Sequence, residues 1–482
     1  MNLFAVSLTI GSLGVAANLF SAEISVPKDF PTLQSAIDSS KPGDTILVSP
    51  GTYRERIVLK PGITVRSQGS EDSGTLGLKR AEETIIDGTG GKADQPGVTM
   101  AEGAVLDGFT VTAVGAYDDR EWQHHWDTKG MEQRHDSIGH FGVPAIASMG
   151  VTCSIRNNVV HHNGSTGIAL RGEEGKRDFP LVINNICYRN MGGGIGSMQG
   201  STGIIEGNRC FENFHAGIGH DNASPLVTAN DCYRNVRAGI GISEGACPIV
   251  RNNHCHENRR AGIGIRTGET TRPIVESNEC DRNEMAGIGA EEHAAPIIRD
   301  NHCHHNRLAG IGCQEGSHPI LVGNRCLENG ASGIGIDSAA AIVLQNHCEQ
   351  NKTAGIGVDS SERTLLYENT CSENGTVAVG IPNGGEVVLA HNTLSRSGGM
   401  PPMVAVLKGA TASLLGNQIS GGGVAAVMID GNALLTGNTL IGSDGGSGIF
   451  VRDKGSALLH DNEISGYRNR LSKQGTATVV EP

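Results

Sequence analysis

The 482-residue chain has few aromatic residues, no run of basic residues and, beyond its first 22 residues, no long apolar stretch. Aromatic residues make up 4% of the chain, so a carbohydrate site built mainly on ring stacking would have few residues to use. A formal net charge of −13 without a Lys or Arg cluster argues against a nucleic-acid partner. The lack of a second apolar run predicts that the chain does not span a membrane.

Residues 1–22 are apolar and end in small residues, which is typical of a secretory signal peptide, although the segment lacks Lys and Arg. The sequence therefore predicts a secreted or periplasmic protein. The twelve cysteines of such a chain could form a disulfide framework, but their spacing follows a repeat instead.

The repeat is the dominant feature of the sequence. An Asn-x-Cys phrase recurs at intervals of 22 to 25 residues, and a repeat of fixed period in this range predicts a repeat architecture. Its cysteines are Cys187, Cys210, Cys232, Cys255, Cys280, Cys303, Cys326, Cys348 and Cys371. The asparagine of the phrase continues beyond them as Asn392, Asn417, Asn438 and Asn462.

Each repeat unit also contains a Gly-Ile-Gly phrase such as Gly262-Ile263-Gly264, in which apolar and small residues alternate. A unit of about 23 residues is too short for a pair of helices. Alternating β-branched residues with Gly, Asn or Pro between them indicate strand, turn and strand. The sequence therefore predicts an all-β parallel solenoid whose coils stack at about 4.8 Å.

The segment 25–70 contains Pro-Gly-Asp-Thr-Ile at 42–46 and Pro-Gly-Thr-Tyr at 50–53. With the repeats, it resembles the right-handed parallel β-helix superfamily of pectate-lyase-like proteins, including NosD-type repeats. The resemblance implies a single-stranded right-handed parallel β-helix over 71–466. Residues 23–70 would form an N-terminal cap, with a capping helix at 32–37, and the first coils. Residues 467–482 would form a C-terminal tail or cap.

The resemblance does not transfer a catalytic residue. Galacturonase-type enzymes are expected to carry Asn-Thr-Asp and Gly-His-Gly, whereas this chain has Leu394 after Asn392-Thr393 and Asp221 after Gly219-His220. The epimerase-type Asp-Pro-His-Asp and the pectin-methylesterase Gln-Asp-Thr are absent from the sequence.

Ladders of identical residues are expected along the solenoid. The cysteines lie between polar neighbours and are predicted to point inward as reduced thiols. The asparagines two before and three after each cysteine are predicted to be structural residues at corners. If Ile263 and Ile265 face inward, Gly262 and Gly264 face outward and form a strip of bare backbone, which either receives a ligand or serves tight bends.

Residues 117–143 break the coil period and contain both tryptophans of the chain. Function is common on such excursions from a rigid scaffold. If the protein is a lyase or hydrolase, we expect His135 or His140 to act as acid or base and Asp136 to orient it or bind a cation. Trp122 and Trp126 are predicted to contact substrate. The alternative is a hydrated, His-rich loop whose tryptophans pack against the solenoid.

Two columns of outward side chains flank the cysteines of three consecutive coils. The first column is His254, Glu279 and His302, and the second is His256, Asp281 and His304. Imidazole and carboxylate ligands at coil spacing suit a divalent transition metal. The alternative is a solvated face on which acids balance histidines.

A row of outward acids follows the Gly-Ile-Gly phrases, with one arginine among them. It suits Ca²⁺ or glycoside chemistry, and it is also a means of keeping a sheet face soluble. The predicted substrate-binding members of the row are Asp221, Glu244, Arg266, Glu291, Glu315 and Asp337.

These observations predict a monomeric, exported protein that binds or processes a polysaccharide along the solenoid flank, as a lyase or glycoside hydrolase if it is an enzyme. The expected cofactor, if one is bound, is Ca²⁺ or a divalent transition-metal cation. A second hypothesis is a non-catalytic periplasmic metal-binding accessory protein, as the NosD-type resemblance implies. A third is a structural or adhesion module whose glycine strip docks another protein.

Overall fold

The structure is a computed structural model, and it describes residues 21–128, 142–382 and 384–481. Within these ranges the chain winds into stacked coils of short parallel strands, three to a regular coil. One regular coil contains Ile249–Arg251, His254–His256 and Ile263–Ile265. Strands in the same position of successive coils pair in parallel and form three sheets, which we name A, B and C. The predicted all-β parallel solenoid, with coils of about 23 residues, is confirmed.

Sheet A is formed by the first strand of each coil. Its described strands are Glu23–Val26, Thr45–Val48, Thr64–Ser67, Val105–Asp107, Ser154–Arg156, Leu181–Ile183, Ile204–Glu206, Leu226–Thr228, Ile249–Arg251, Ile274–Glu276, Ile297–Arg299, Ile320–Val322, Ile342–Leu344, Arg363–Tyr367, Glu386–Ala390, Thr411–Leu415, Asn432–Thr436, Ser456–His460 and Thr478–Val480.

Sheet B is formed by the strands that carry the repeated cysteines. Its described strands are Gly51–Tyr53, Thr84–Asp87, Thr110–Thr112, Val159–His161, Ile186–Tyr188, Arg209–Phe211, Asp231–Tyr233, His254–His256, Glu279–Asp281, His302–His304, Arg325–Leu327, His347–Glu349, Thr370–Ser372, Thr393–Ser395, Gln418–Ser420, Thr439–Ile441 and Glu463–Ser465.

Sheet C is formed by the strands that carry the Gly-Ile-Gly phrase. Its described strands are Ile57–Val58, Val98–Thr99, Ile146–Met149, Ile168–Arg171, Ile195–Met198, Ile218–Asp221, Ile240–Ser243, Ile263–Ile265, Ile288–Ala290, Ile311–Cys313, Ile334–Asp337, Ala354–Asp359, Val377–Ile381, Val404–Val406, Ala425–Ile429, Ser447–Val451 and Asn469–Lys473.

Identical residues stack because the register between coils is in phase. Cys255 pairs with Cys280 in sheet B, and Ile263 pairs with Ile288 in sheet C. These side chains are fully buried in one continuous core that runs through the solenoid. Each isoleucine buried in this way stabilises the fold by about 1.5–3 kcal/mol. The structure has all twelve cysteines as free thiols, and Cys247 is the exposed one among them.

Two internal ladders of asparagine hold the corners on either side of sheet B. In the first, Asn253 Nδ2 donates to Asn278 Oδ1 at 2.9 Å and to a backbone carbonyl of the preceding coil at 3.0 Å. In the second, Asn258 Nδ2 donates to Asn283 Oδ1 at 3.0 Å in the same way. These side chains are buried, so their hydrogen bonds satisfy polar groups that water cannot reach. The prediction that these asparagines are structural residues at the corners of the coils is confirmed.

The described residues include three helices in addition to the strands: α1 (Leu33–Ser39), α2 (Lys79–Glu83) and α3 (Asp119–Asp127). Helix α1 buries Leu33, Ala36 and Ile37 against the first coils and is the predicted capping helix. At the other end, residues 469–480 add two further strands where the sequence predicted a tail or cap. Residues 1–20 of the predicted signal peptide lie outside the described residues. No helix of the described residues is long and apolar enough to cross a membrane.

Candidate functional site

A long groove of about 910 Å³ runs along the outer surface of sheet C. Its floor is a column of nine glycines, one in each of nine successive coils: Gly196, Gly219, Gly241, Gly264, Gly289, Gly312, Gly335, Gly357 and Gly380. At a coil spacing of about 4.8 Å the glycine floor is about 40 Å long. The predicted strip of bare backbone therefore exists, on one face of the solenoid.

The two glycines of each Gly-Ile-Gly phrase have different surroundings. A Cβ atom added to Gly289 would have its nearest contact at 3.9 Å, on Ala261, so this glycine faces open space. A Cβ added to Gly287 would lie 2.7 Å from the Gly310 carbonyl and 2.8 Å from Asn306 Nδ2, in the interior. The prediction that both glycines face outward is therefore wrong for the first one. The strand begins at Ile288, so the alternation of side chains does not extend back through the corner.

The two banks of the groove differ in chemistry. The bank at the corner between sheets B and C includes Arg237, Arg260 and the apolar Met285 and Leu308. The opposite bank is formed by the residue that ends each sheet C strand or directly follows it. These residues include Asp221, Arg266, Glu291, Gln314, Asp337 and Asp359.

Four of the predicted substrate-binding residues lie on that second bank, namely Asp221, Arg266, Glu291 and Asp337. Glu244 and Glu315 are in the turns that follow the strands, with φ angles of 55° and 50°, and they are not part of the groove lining. Glu244 and Glu315 are one place beyond the bank position, after the strand has ended, which is why they turn away from the glycine floor.

The central part of the groove brings Glu291 close to arginines of both banks. Burial raises the pKa of Glu291, an effect that the positive charges of Arg260 and Arg266 oppose. Burial also lowers the pKa of Arg260, and the charge of Glu291 opposes that shift. Nearer the N-terminal end, burial and the charge of Glu244 raise the pKa of Asp221. Glu291 and Asp221 are thus carboxyl groups that hold a proton more readily than an exposed acid.

Helix α3 packs on the corner beside the groove through Trp122. This side chain is 1% exposed, and its Nε1 donates to the Glu212 carbonyl at 2.7 Å. The Arg189 guanidinium lies 3.7 Å from the centre of one ring face, and Trp126 stacks at 5.4 Å. Trp122 therefore anchors the helix and does not present a ring to substrate. This agrees with the alternative prediction, in which the tryptophans pack the loop against the solenoid. Trp126 is half-buried, with Arg259 4.4 Å from its ring centre.

The predicted catalytic residues His135, Asp136 and His140 lie outside the described residues, which end at Thr128 and resume at Gly142. Their assignment stays a prediction.

The six predicted metal ligands lie on the outer surface of sheet B, and the structure divides them into groups. His302 and His304 have their ligand atoms within 4.8 Å of Glu279, and His254 and His256 are placed in the same way around Asp231. Asp231 was missed in the sequence, although it occupies the position before a repeated cysteine, one coil ahead of His254. Asp281 accepts a hydrogen bond from His254 Nε2 at 2.6 Å, and it forms a third, overlapping group with His254 and Glu279.

Two further surface ladders were not identified from the sequence, the first because each coil contributes a different residue type. On sheet B the rings of Tyr188, Phe211 and Tyr233 stack at 5.0 and 4.9 Å, and the stack continues to His161 at one end and His256 at the other. On sheet A an outward column of Leu and Ile runs over successive coils. It comprises Leu181, Ile204, Leu226, Ile249, Ile274, Ile297, Ile320, Ile342 and Leu365.

Comparison with known proteins supports the fold. Pre-mature bacteriophage phi29 gene product 12 is 13% identical with a TM-score of 0.51, over 93% of this chain and 70% of that chain. The A-module of mannuronan C-5 epimerase AlgE4 from Azotobacter vinelandii is 13% identical with a TM-score of 0.32, over 93% and 94% of the two chains. The periplasmic alginate epimerase AlgG is 12% identical with a TM-score of 0.38, over 76% of this chain and 82% of that chain. At 13% identity the similarity to gene product 12 concerns the fold alone.

No curated protein matches the chain. The family model described as "Right handed beta helix region" matches residues 135–272 and 249–394. Together these ranges span more than half of the 482 residues. The chain therefore belongs to the right-handed β-helix family.

Proposed function

We propose that this protein binds a polysaccharide that lies extended along the groove of sheet C. The observation that carries the proposal is the continuous glycine floor, about 40 Å long. Glycine in a strand interior commonly marks the close approach of a ligand or another backbone. A long unbranched polymer fits such a groove better than a small molecule, which would use one or two coils of it.

The charges of the banks favour an acidic polysaccharide. Arg237, Arg260 and Arg266 line two neighbouring coils of the groove, with Arg260 and Arg266 on opposite banks of the same coil. Guanidinium groups pair with carboxylates through two parallel hydrogen bonds, which suits the carboxylates of uronate units. Towards the C-terminal end, Asp337 and Asp359 offer acceptors for sugar hydroxyl groups. We therefore place the acidic units of the polymer at the arginines.

Glu291 is the described carboxyl group best suited to proton transfer if the bound polymer is also cleaved. It lies among the arginines of the groove, and burial raises its pKa. A carboxyl group with a raised pKa keeps its proton more readily than an exposed acid, as a general acid must. His135, Asp136 and His140 are the alternative catalytic set. We also propose that the protein is exported, on the basis of its apolar first 22 residues.

The test is a panel of acidic and neutral polysaccharides added to the purified protein. Binding is measured calorimetrically, and cleavage is followed as new reducing ends and as the ultraviolet absorbance of an unsaturated product, with and without Ca²⁺. We expect an acidic polymer to bind, and we expect Arg260→Ala to weaken it at least tenfold. Arg299→Ala, on sheet A, is the control and should bind normally.

Two variants then separate binding from catalysis. Glu291→Gln keeps the shape of the side chain, so loss of product formation with retained binding would assign proton transfer to Glu291. The same outcome with His135→Ala would assign it to the loop. Failure of every polymer to bind would overturn the proposal, and concentration-dependent self-association of the same sample would then favour the adhesion hypothesis.

A further inference from the structure

Sheet B carries the same three-residue pattern twice on its outer surface. In each case a carboxylate precedes a repeated cysteine, and a His-Cys-His strand follows one coil later. The first set is Asp231, His254 and His256, and the second is Glu279, His302 and His304. The cysteine between the two histidines is buried, so both imidazoles project outward beside the carboxylate of the neighbouring coil.

The first set is compact. His256 Nε2 lies 3.2 Å from Asp231 Oδ1, and His254 Nδ1 lies 3.8 Å from the same oxygen. The two imidazole rings stack with their centres 4.3 Å apart. Ligand atoms around a tetrahedral Zn²⁺ are about 3.3 Å apart, given bonds of about 2.0–2.1 Å. The observed separations are therefore close to those of a coordinated ion, and small rotations of the side chains would complete the site.

The second set has the same arrangement. His304 Nε2 lies 3.2 Å from Glu279 Oε1, and the rings of His302 and His304 have centres 4.3 Å apart. His302 Nε2 is buried and makes no hydrogen bond within the described residues. A buried imidazole nitrogen without a partner costs free energy that a metal ion would offset.

In the first set a further carboxylate, that of Asp281, contacts one of the histidines, and the second set has no equivalent carboxylate among the described residues. The Oδ1 of Asp281 lies 2.6 Å from His254 Nε2, and the other oxygen of Asp281 lies 2.6 Å from an Arg282 guanidinium nitrogen. Its side chain is 2% exposed, so the pair is held in place. A carboxylate that binds one imidazole nitrogen orients the ring and leaves the other nitrogen, here Nδ1 next to Asp231, for a metal. The corresponding position beside His302 and His304 is occupied by Leu327.

We propose that sheet B carries two transition-metal sites, Asp231–His254–His256 and Glu279–His302–His304, and that the first binds its ion more tightly because Asp281 orients His254. Two imidazoles and one carboxylate suit Zn²⁺, Cu²⁺, Ni²⁺ or Co²⁺ rather than Ca²⁺ or Mg²⁺. The sites are two coils, about 10 Å, apart. They lie on a different sheet from the groove, and the inference is independent of polysaccharide binding.

Calorimetric titration of metal-free protein with Zn²⁺ alone tests the proposal, with the coordination checked by the spectra of the Co²⁺ and Cu²⁺ forms. All samples carry Cys247→Ser, so that the exposed thiol contributes no ligand. We expect two ions per chain with different affinities. Asp231→Asn should weaken the tighter site at least tenfold, and Asp281→Asn should weaken it by about 10- to 100-fold. His302→Ala should abolish the weaker site and leave the tighter one unchanged.

The matched control is His347→Ala on the same sheet. His347 and Glu349 flank a cysteine in the same way, but the preceding coil places Arg325 where the proposed sites have a carboxylate. This variant should bind both ions normally. Absence of Zn²⁺ binding, or equal losses in His347→Ala and Asp231→Asn, would overturn the proposal. Because all five positions are on the surface or changed conservatively, unchanged circular dichroism and thermal midpoints would show that the variants are folded.

Discussion

The Ser197 hydroxyl and His220 Nδ1 lie 2.6 Å apart inside the solenoid, on neighbouring coils of sheet C. His220 is 3% exposed, and its Nε2 makes no hydrogen bond within the described residues. Burial lowers the pKa of His220 to about 3, so the imidazole is neutral at ordinary pH. The histidine of Gly219-His220-Asp221 therefore belongs to the core beneath the groove, and its side chain does not project into the groove.

This burial predicts a loss of stability in mild acid. An unfolded histidine has a pKa near 6.5, so below that pH the histidine is protonated in the unfolded chain but stays neutral in the folded protein. Stability falls as the pH falls, by about 2 kcal/mol at pH 5. His220→Ile introduces the residue found at the paired position, Ile242, and should lack this pH-dependent loss of stability. Urea unfolding of both proteins at pH 7.5 and pH 5 measures the difference, and an equal loss in both would contradict it.

The two glycines of one phrase should respond differently to substitution by alanine. Gly287→Ala places a methyl group 2.7 Å from a backbone carbonyl of the next coil, and overpacking of this kind typically costs about 1–3 kcal/mol. Gly289→Ala meets nothing closer than 3.9 Å and should unfold at the same temperature as the wild type. Thermal unfolding measures both. Equal midpoints for the two variants would show that the first glycine does not face the interior.

Removal of one asparagine from the middle of a ladder should be costly. Asn301 Nδ2 donates to Val275, Arg299 and Asn324, and its Oδ1 accepts from Asn278. Asn301→Ala leaves several buried groups without partners, each at a cost of about 1–3 kcal/mol. We expect a loss of about 3 kcal/mol or more in denaturant unfolding.

The control for that substitution is Asn462→Ala, at the partly exposed C-terminal end of the same ladder. Water can replace its hydrogen bonds, so the loss should be less than half as large. Similar losses at the two positions would contradict the importance of burial for the ladder.

The cysteine ladder should be unreactive in the folded protein. Burial raises the pKa of the ladder thiols Cys255 and Cys280 well above the usual value, and outside the ladder it raises the pKa of Cys313 to about 12 and that of Cys153 to about 11. Thiolate is the reactive form, so an alkylating reagent should modify Cys247 alone. Mass spectrometry should find one modification in the native chain and twelve after unfolding. Fewer than twelve in the unfolded, unreduced chain would reveal disulfides.

The fold could be predicted from the sequence because the period is explicit. Identical residues at in-phase positions, such as Cys255 and Cys280, require coils of equal length, and their polar neighbours show which side faces the core. Asparagine at fixed offsets from cysteine located the corners for the same reason.

The surface sites were only partly predictable because they join residues of unlike type across coils. Asp231 belongs with His254 and His256, but a search for repeated residues passes over a single acid. The stack of Tyr188, Phe211 and Tyr233 was missed for the same reason. Gly287 was misplaced because strand alternation was extended through a corner. A comparison of outward positions coil by coil would have found the first two.

The most direct test of the groove is to fill it. Gly289→Phe places a ring on the glycine floor, where open space surrounds the Cβ position, and Ile297→Phe places the same ring on the exposed face of sheet A. Both proteins should remain folded. With a polysaccharide identified in the panel, we expect calorimetry to show at least a tenfold loss of affinity for Gly289→Phe and no change for Ile297→Phe. Undiminished binding by Gly289→Phe would show that the polymer does not lie along the groove.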